Sequence, residues 1–90
     1  MDIIELLNNM EVGMPLIITT KWQDITTRSV SLYAGTDGAG IYNFIDDTGL
    51  YRMTTGYIRD HVTIQTTLDR EEDLFEVVKL CNRIKKEEVK

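Results

Sequence analysis

Residues 31 to 53, SLYAGTDGAGIYNFIDDTGLYRM, decide the fold because short apolar runs alternate here with two clusters of turn-forming residues. Asp37-Gly38 lies between two strand-like runs. An Asp-Gly pair is a strong hairpin signal, since a type I′ turn needs positive φ at both central residues. Thr48-Gly49 indicates a second turn by the same chemistry. The stretch therefore predicts strand, turn, strand, turn, strand.

A phosphate-binding loop is the competing interpretation of these glycines. Such a loop leads directly into a helix N-terminus and, in the P-loop version, carries a lysine. Here the glycines lead into IYNFI (41–45), which is strand-like and apolar on both faces, and no lysine is near. A hard-cation site at Asp37, Asp46 and Asp47 stays open, because oxygen-only sites need few signature residues. Plain turns are favoured, and we expect neither a metal nor a cofactor.

The flanking patterns extend this order of elements. Residues 2 to 10 predict a short helix with Asp2 as its cap, because apolar side chains recur there at helical spacing. TTGYIRD (54–60) predicts a short turn or 3₁₀ segment. The members of the helical face are Ile3, Leu6, Leu7 and Met10. The remaining runs that predict strands are PLIITTKW (15–22), TTRSVSLYA (26–34) and HVTIQ (61–65).

A longer helix is predicted from Asp69 towards the C-terminus, where Asp69 and Glu72 form a capping-box-like pair. The chain is thus expected to be one α+β domain over residues 1–90. It has a small five-stranded antiparallel sheet or barrel between a short and a longer helix. The stripe expected to pack on the sheet is Leu74, Val77, Val78, Cys81 and Ile84.

The order of helix, five strands and helix, together with GIYNFID (40–46), resembles the small SH3-like and Sm-like β-barrel proteins. The resemblance covers about residues 2 to 65 and implies a barrel built from the five strands. The chain lacks an asparagine after Asp46, and Asp60 stands where the second Sm motif has glycine. The resemblance therefore implies a fold and not a function. The similar positions are Gly40, Tyr42, Phe44 and Asp46 in the first Sm motif and Ile58 and Arg59 in the second.

The distribution of charged residues along the chain limits the kind of partner that the protein can bind. Residues 1 to 78 carry five basic and thirteen acidic side chains, whereas residues 79 to 90 carry five basic and two acidic ones. A body this negative repels phosphate backbones, so direct nucleic-acid binding is not expected. The basic residues near the C-terminus suit the end of a helix, where cations are favoured by the helix dipole.

Cellular location is predicted from three features of the sequence. The single cysteine suits a reducing compartment, the acidic opening lacks the basic region of a signal peptide, and no apolar run approaches about 20 residues. We expect a cytoplasmic protein without membrane contact.

Catalytic patterns are lacking in the sequence. His61 and Cys81 are the only residues of their kinds, and nothing in the pattern supplies the third group that orients a dyad. The adjacent carboxylates in the turn and at the start of the last helix point apart, which makes them poor acid–base partners. The sequence therefore predicts a protein that is not an enzyme.

A binding surface is the functional expectation, since six of the seven aromatic residues fall between residues 22 and 57. In size and charge the chain resembles small inhibitors from phages and mobile elements, including anti-CRISPR and anti-restriction proteins. That resemblance implies a decoy for a host protein whose basic surface normally holds nucleic acid. The predicted tyrosine anchors and acidic rim are Tyr33, Tyr42, Tyr51, Asp37, Asp46 and Asp47.

Two alternatives remain open. One is an Sm-like RNA-binding module. The other is an oligomeric barrel that binds a nucleotide or similar small ligand, in which aromatic rings stack on a base and arginines hold a phosphate. The residues predicted for that pocket are Trp22, Tyr57, Arg28, Arg52 and Arg59.

Overall fold

A computed structural model describes residues 2–88. The elements are α1 (Ile3–Asn8), β1 (Pro15–Trp22), β2 (Ile25–Thr36), β3 (Ile41–Asp46), β4 (Gly49–Thr54), α2 (Thr55–His61), β5 (Val62–Gln65) and α3 (Glu71–Glu88). All neighbouring strands are antiparallel, in the order β4-β3-β2-β1-β5. The predicted α+β class and five-stranded sheet are confirmed. The sheet is not closed into a barrel, because β4 and β5 form opposite edges and no pairing joins them within the described residues.

The main core lies on the face of the sheet that carries α1 and α2. Phe44 is fully buried near its centre, paired in register with Tyr33 on β2 and Tyr51 on β4. Because side chains alternate along a strand, Tyr42 shares this face while Ile45 lies on the other, as the sequence predicts for β3. The buried members of the core are Ile4, Leu7, Leu16, Ile18, Tyr33, Tyr42, Phe44, Met53, Ile58 and Val62.

The two predicted turns form, but the first differs in type. Residues 37–40 make a four-residue loop rather than a two-residue type I′ turn. Positive φ falls on Gly38 and Gly40, and Asp37 uses its carboxylate to accept a bond from the Ala39 amide at 2.8 Å. The side chain thus stabilises the loop as an Asx turn does, without left-handed geometry at Asp37.

Three predictions about the first two helices need correction. In α1 the fully covered residues are Ile4 and Leu7, so Ile4 was missing from the predicted face. Asp2 is the N-cap by position but makes no capping bond, and its carboxylate pairs with Arg59 at 3.2 Å. The segment TTGYIRD forms the α-helix α2 instead of a short turn, because Thr54 caps it by accepting from the Tyr57 amide at 3.3 Å.

Helix α3 packs on the opposite face of the sheet, against β2. Asp73 and Leu80 are buried, and Val77 and Ile84 are half-buried. These positions recur at four- and three-residue intervals and define the packed side of the helix. In the described part of the chain, no helix is long and apolar enough to cross a membrane.

The predicted stripe of α3 is therefore partly wrong. Leu74 and Val78 are about half exposed, and Cys81 is exposed rather than being a small buried residue. The physical reason is rotation about the helix axis. An α-helix turns about 100° per residue, so burying Asp73 and Leu80 points Leu74 and Cys81, each one residue further on, away from the sheet.

Candidate functional site: an acidic groove beside helix α3

An acidic groove of about 340 Å³ lies where the first turns of α3 meet β2 and the β3–β4 turn. Five carboxylates and one guanidinium line it. Because carboxylates only accept hydrogen bonds, the groove is chemically suited to a guanidinium or ammonium group. The lining residues are Arg28, Ser29, Val30, Asp46, Asp47, Glu72, Asp73 and Glu76.

The guanidinium of Arg28 is already engaged by a buried partner. Its two terminal nitrogens donate to the two Asp73 oxygens at 3.0 and 2.7 Å, and the Asp73 side chain is almost fully covered. The hydrogen bonds from Arg28 hold the pKa of Asp73 below its usual value, and the same bonds raise the pKa of Arg28. This bidentate pair anchors the start of α3 to β2, and both groups stay charged.

The β3–β4 turn supplies the opposite wall. One Asp46 oxygen accepts from the Thr48 amide at 2.9 Å and from its hydroxyl at 2.6 Å, which fixes the turn. Arg83 of α3 donates to the main-chain carbonyl of Asp47 and ties that turn to the helix. The wall is thus held in place from both sides.

Two carboxylates in the groove are available to an incoming cation. Within the described part of the chain, the carboxylates of Asp47 and Glu72 make no hydrogen bond or ion pair. Glu76 is partly used, because Lys79 lies 3.3 Å from it. A basic side chain entering the groove would therefore meet Asp47 and Glu72 first.

Only two of the three aspartates predicted to form an acidic rim lie close together. Asp46 and Asp47 face the groove, whereas Asp37 is exposed in the loop at the other end of β3. Among the described residues, no group of three or more His, Cys, Asp or Glu side chains is placed to hold a metal ion. The three aspartates considered for a cation site are therefore not arranged as one.

The predicted tyrosine anchors are placed differently from expectation. Tyr33 and Tyr42 are only 2% and 4% exposed, so neither offers a surface in this conformation. The Tyr42 hydroxyl donates to Asn8 at 2.8 Å, which fixes it inside the core. Tyr51 is half-buried, with its hydroxyl 2.8 Å from that of Ser31. Cross-strand packing explains these rings, since aromatic pairs stabilise neighbouring strands.

A second groove, of about 480 Å³, contains part of the alternative site. Arg52 and Tyr57 line it, and Tyr57 stacks with Trp22 at a ring separation of 6.2 Å. His61 lies edge-on to Trp22 at 4.4 Å, and sequence reasoning did not place it there. These three rings form an aromatic cluster that is partly open to solvent.

The other two arginines of the alternative site lie elsewhere. Arg28 belongs to the acidic groove, and Arg59 pairs with Asp2 on the surface. Arg52 is thus the one arginine predicted for this pocket that lines the aromatic groove. The five residues are not brought together as a single phosphate-binding site.

The chain matches no protein-family model, no curated protein and no solved structure. Its function is therefore inferred from the geometry of the two grooves.

Sequence reasoning missed the contribution of α3 to the site. The sequence indicates a capping role for Glu72 and does not single out Asp73 among the acidic residues of the first turn. Residue spacing could have revealed this contribution. Asp73 precedes Val77 and Leu80 by four and seven residues and therefore lies on the same face of the helix. A buried acidic residue on the packed side of a helix needs a cationic partner, and Arg28 supplies it.

Proposed function

We propose that this chain is a non-catalytic acidic binding protein that holds a basic segment of a partner protein in the acidic groove. The observation that carries the proposal is the convergence of five carboxylates on one depression that contains a single, already paired guanidinium. The partner class this favours is a nucleic-acid-binding protein, whose basic surface is complementary to such a groove. Occupying that surface would make the chain an inhibitor or decoy.

Arg28 does not oppose this use of the groove. Its charge is directed at Asp73 through two hydrogen bonds, so an incoming cation meets the uncompensated carboxylates of Asp47 and Glu72 rather than a free guanidinium. Apolar contact near the groove would come from Leu50, which is exposed on β4 in a neighbouring depression that also includes Asp46. Leu50 therefore replaces the buried tyrosines as the expected apolar contact, for example against the methylene stem of a lysine or arginine.

The test uses a short arginine-rich peptide as the probe and calorimetry as the measurement. A groove variant combines Asp46→Asn, Asp47→Asn and Glu72→Gln. A matched control removes the same three charges from exposed sites outside the groove, and consists of Glu11→Gln, Asp24→Asn and Asp60→Asn.

We expect the groove variant to weaken peptide binding at least about tenfold more than the control, because short-range charge pairs depend on position. Added salt should weaken binding to the wild-type chain more than to the groove variant. Equal losses in the two variants would show that net charge alone attracts the peptide, and would contradict a site in the groove.

The second candidate function is binding of a planar small ligand such as a nucleotide at the aromatic groove. The specific observation in its favour is the cluster of Trp22, Tyr57 and His61 beside Arg52, which could provide a stacking surface and a phosphate contact. Trp22 is the only tryptophan, so its fluorescence reports directly on this site. Saturable quenching by adenosine nucleotides that Arg52→Gln weakens would support this candidate, and unchanged fluorescence would remove it.

The finer expectations on fold and location remain proposals. A relation to SH3-like or Sm-like proteins, with an open sheet instead of a closed barrel, is supported by the succession of α1, four antiparallel strands, the short helix α2, β5 and α3. An Sm-like RNA-binding role has the least support, because the carboxylates of the acidic groove repel phosphates. A cytoplasmic location is supported by the single unpaired cysteine.

A further inference from the structure

Helix α3 carries a second apolar stripe, on the side away from the sheet. Leu74, Phe75 and Val78 are 50%, 59% and 55% exposed, and Cys81 is exposed beside them. They span two helical turns, and the described part of the protein leaves them open to solvent. A contiguous stripe of this kind on a small domain indicates an interaction surface more than chance exposure does.

The charges on α3 indicate which partner fits the stripe. The exposed acidic residues of the first turn are Glu71 and Glu72, while Lys79 and Arg83 lie in the second half of the helix. An antiparallel copy of the same helix would place its basic half beside the acidic half of the first. A parallel copy would set like charges side by side, which is unfavourable.

We propose that the stripe binds a second copy of this chain, with the two α3 helices antiparallel about a two-fold axis close to Val78. In this register Val78 lies next to the partner's Val78, and Phe75 lies opposite the partner's Cys81. A two-fold interface requires such a self-complementary surface, and the order acidic, apolar, basic along one helix provides it.

The pairing leaves the acidic groove accessible. The groove uses Asp73 and Glu76 on the side of α3 that faces the sheet and the β3–β4 turn, whereas the stripe lies on the outer side. An 18-residue helix is about 27 Å long, so the interface is short. We therefore expect a dimer in equilibrium with the monomer in the micromolar range rather than an obligate one.

Sedimentation equilibrium over a concentration series tests the association. The wild-type mass should rise with concentration towards that of a dimer. Val78→Asp places two like charges at the axis and should weaken dimerisation at least about tenfold. Val12→Asp is the matched control, because Val12 is an exposed valine outside α3, and it should leave dimerisation unchanged. Circular dichroism confirms that both variants are folded.

Cysteine cross-linking tests the orientation. In a Cys81→Ser background, Val78→Cys should form a disulfide dimer on mild oxidation. Leu74→Cys should not, because antiparallel helices separate the two Leu74 positions by about 12 Å along the axis. A wild-type chain that stays monomeric at every concentration would overturn the proposal. So would equal effects of the two valine variants, or efficient cross-linking at position 74.

Discussion

The placement of α3 makes a sharp prediction about two neighbouring apolar residues. Leu80 is 3% exposed and Val78 is 55% exposed, although both belong to the same helix. Leu80→Ala should therefore reduce the free energy of unfolding strongly, and Val78→Ala should leave it nearly unchanged. The pair is a matched test, because each substitution shortens an aliphatic side chain to alanine within the same helix.

The magnitude follows from what each substitution removes. Leu80→Ala deletes three buried carbons, worth about 2.4 kcal/mol by transfer, and the cavity adds to this. The addition should be modest, because Leu80 borders a depression of about 120 Å³ into which its neighbours can relax. We expect a loss of about 2 to 3 kcal/mol, or a fall in Tm of roughly 10 to 20 °C for a chain this size. Val78→Ala should change the free energy of unfolding by less than about 0.5 kcal/mol, because the side chain is exposed and alanine has the better helix propensity.

Urea unfolding followed by circular dichroism measures both variants. The protein concentration must be low enough to keep the chain monomeric, so that the outer stripe does not contribute to stability. The m-value should stay unchanged while the midpoint shifts. If Val78→Ala destabilises the monomer as much as Leu80→Ala does, the assigned rotation of α3 is wrong.

Three further predictions concern ionisation, hydroxyl burial and metals. Because the folded-state pKa of Asp73 is lowered, its contribution is complete above the unfolded value near pH 4 and is lost as pH falls through the folded value. Urea midpoints between about pH 2 and 7 should thus fall less for Asp73→Asn than for the wild type, and parallel curves would contradict this. Tyr51→Phe removes the bond to Ser31 and should cost about 1 kcal/mol. Tyr33→Phe removes the one buried side-chain polar atom without a partner in the described residues, so it should be neutral or stabilising, and equal losses would contradict the assignment. EDTA should leave Tm unchanged, and a clear fall would indicate a bound cation.

The sequence predicted the sheet well because local chemistry determines most of it. The alternation in β3 and the turn-forming residues on either side are consistent with each other, and Pro15 at the start of β1 fits an N-terminal strand position. The turn between β1 and β2 had no such signal. In this turn Gln23 adopts a φ of 55°. A glycine or asparagine at that position would have indicated the turn, because those residues adopt positive φ readily, whereas glutamine does not.

The site was less predictable because it depends on long-range contacts. Helical periodicity predicted the wrong side of α3 in part, because the packed side depends on long-range contacts such as the pair between Arg28 and Asp73, 45 residues apart in sequence. That pair holds the acidic first turn of α3 against β2, and Arg83 ties the helix to the β3–β4 turn, so the two contacts together form the groove. Tyr42 was predicted to lie on the binding surface but is buried in the core. The sequence could not separate the two roles, because cross-strand core packing and partner binding both use tyrosine.

The central claim is that the acidic groove is the binding surface, and nuclear magnetic resonance tests it most directly. The labelled chain is titrated with the arginine-rich peptide, and amide shift changes are mapped along the sequence. We predict saturable changes concentrated at residues 28–30, 46–48 and 71–76, which the groove variant loses and the charge-matched control keeps. Changes centred on residues 20–27 and 51–57, at the aromatic groove, or spread evenly over the acidic surface, would contradict the account.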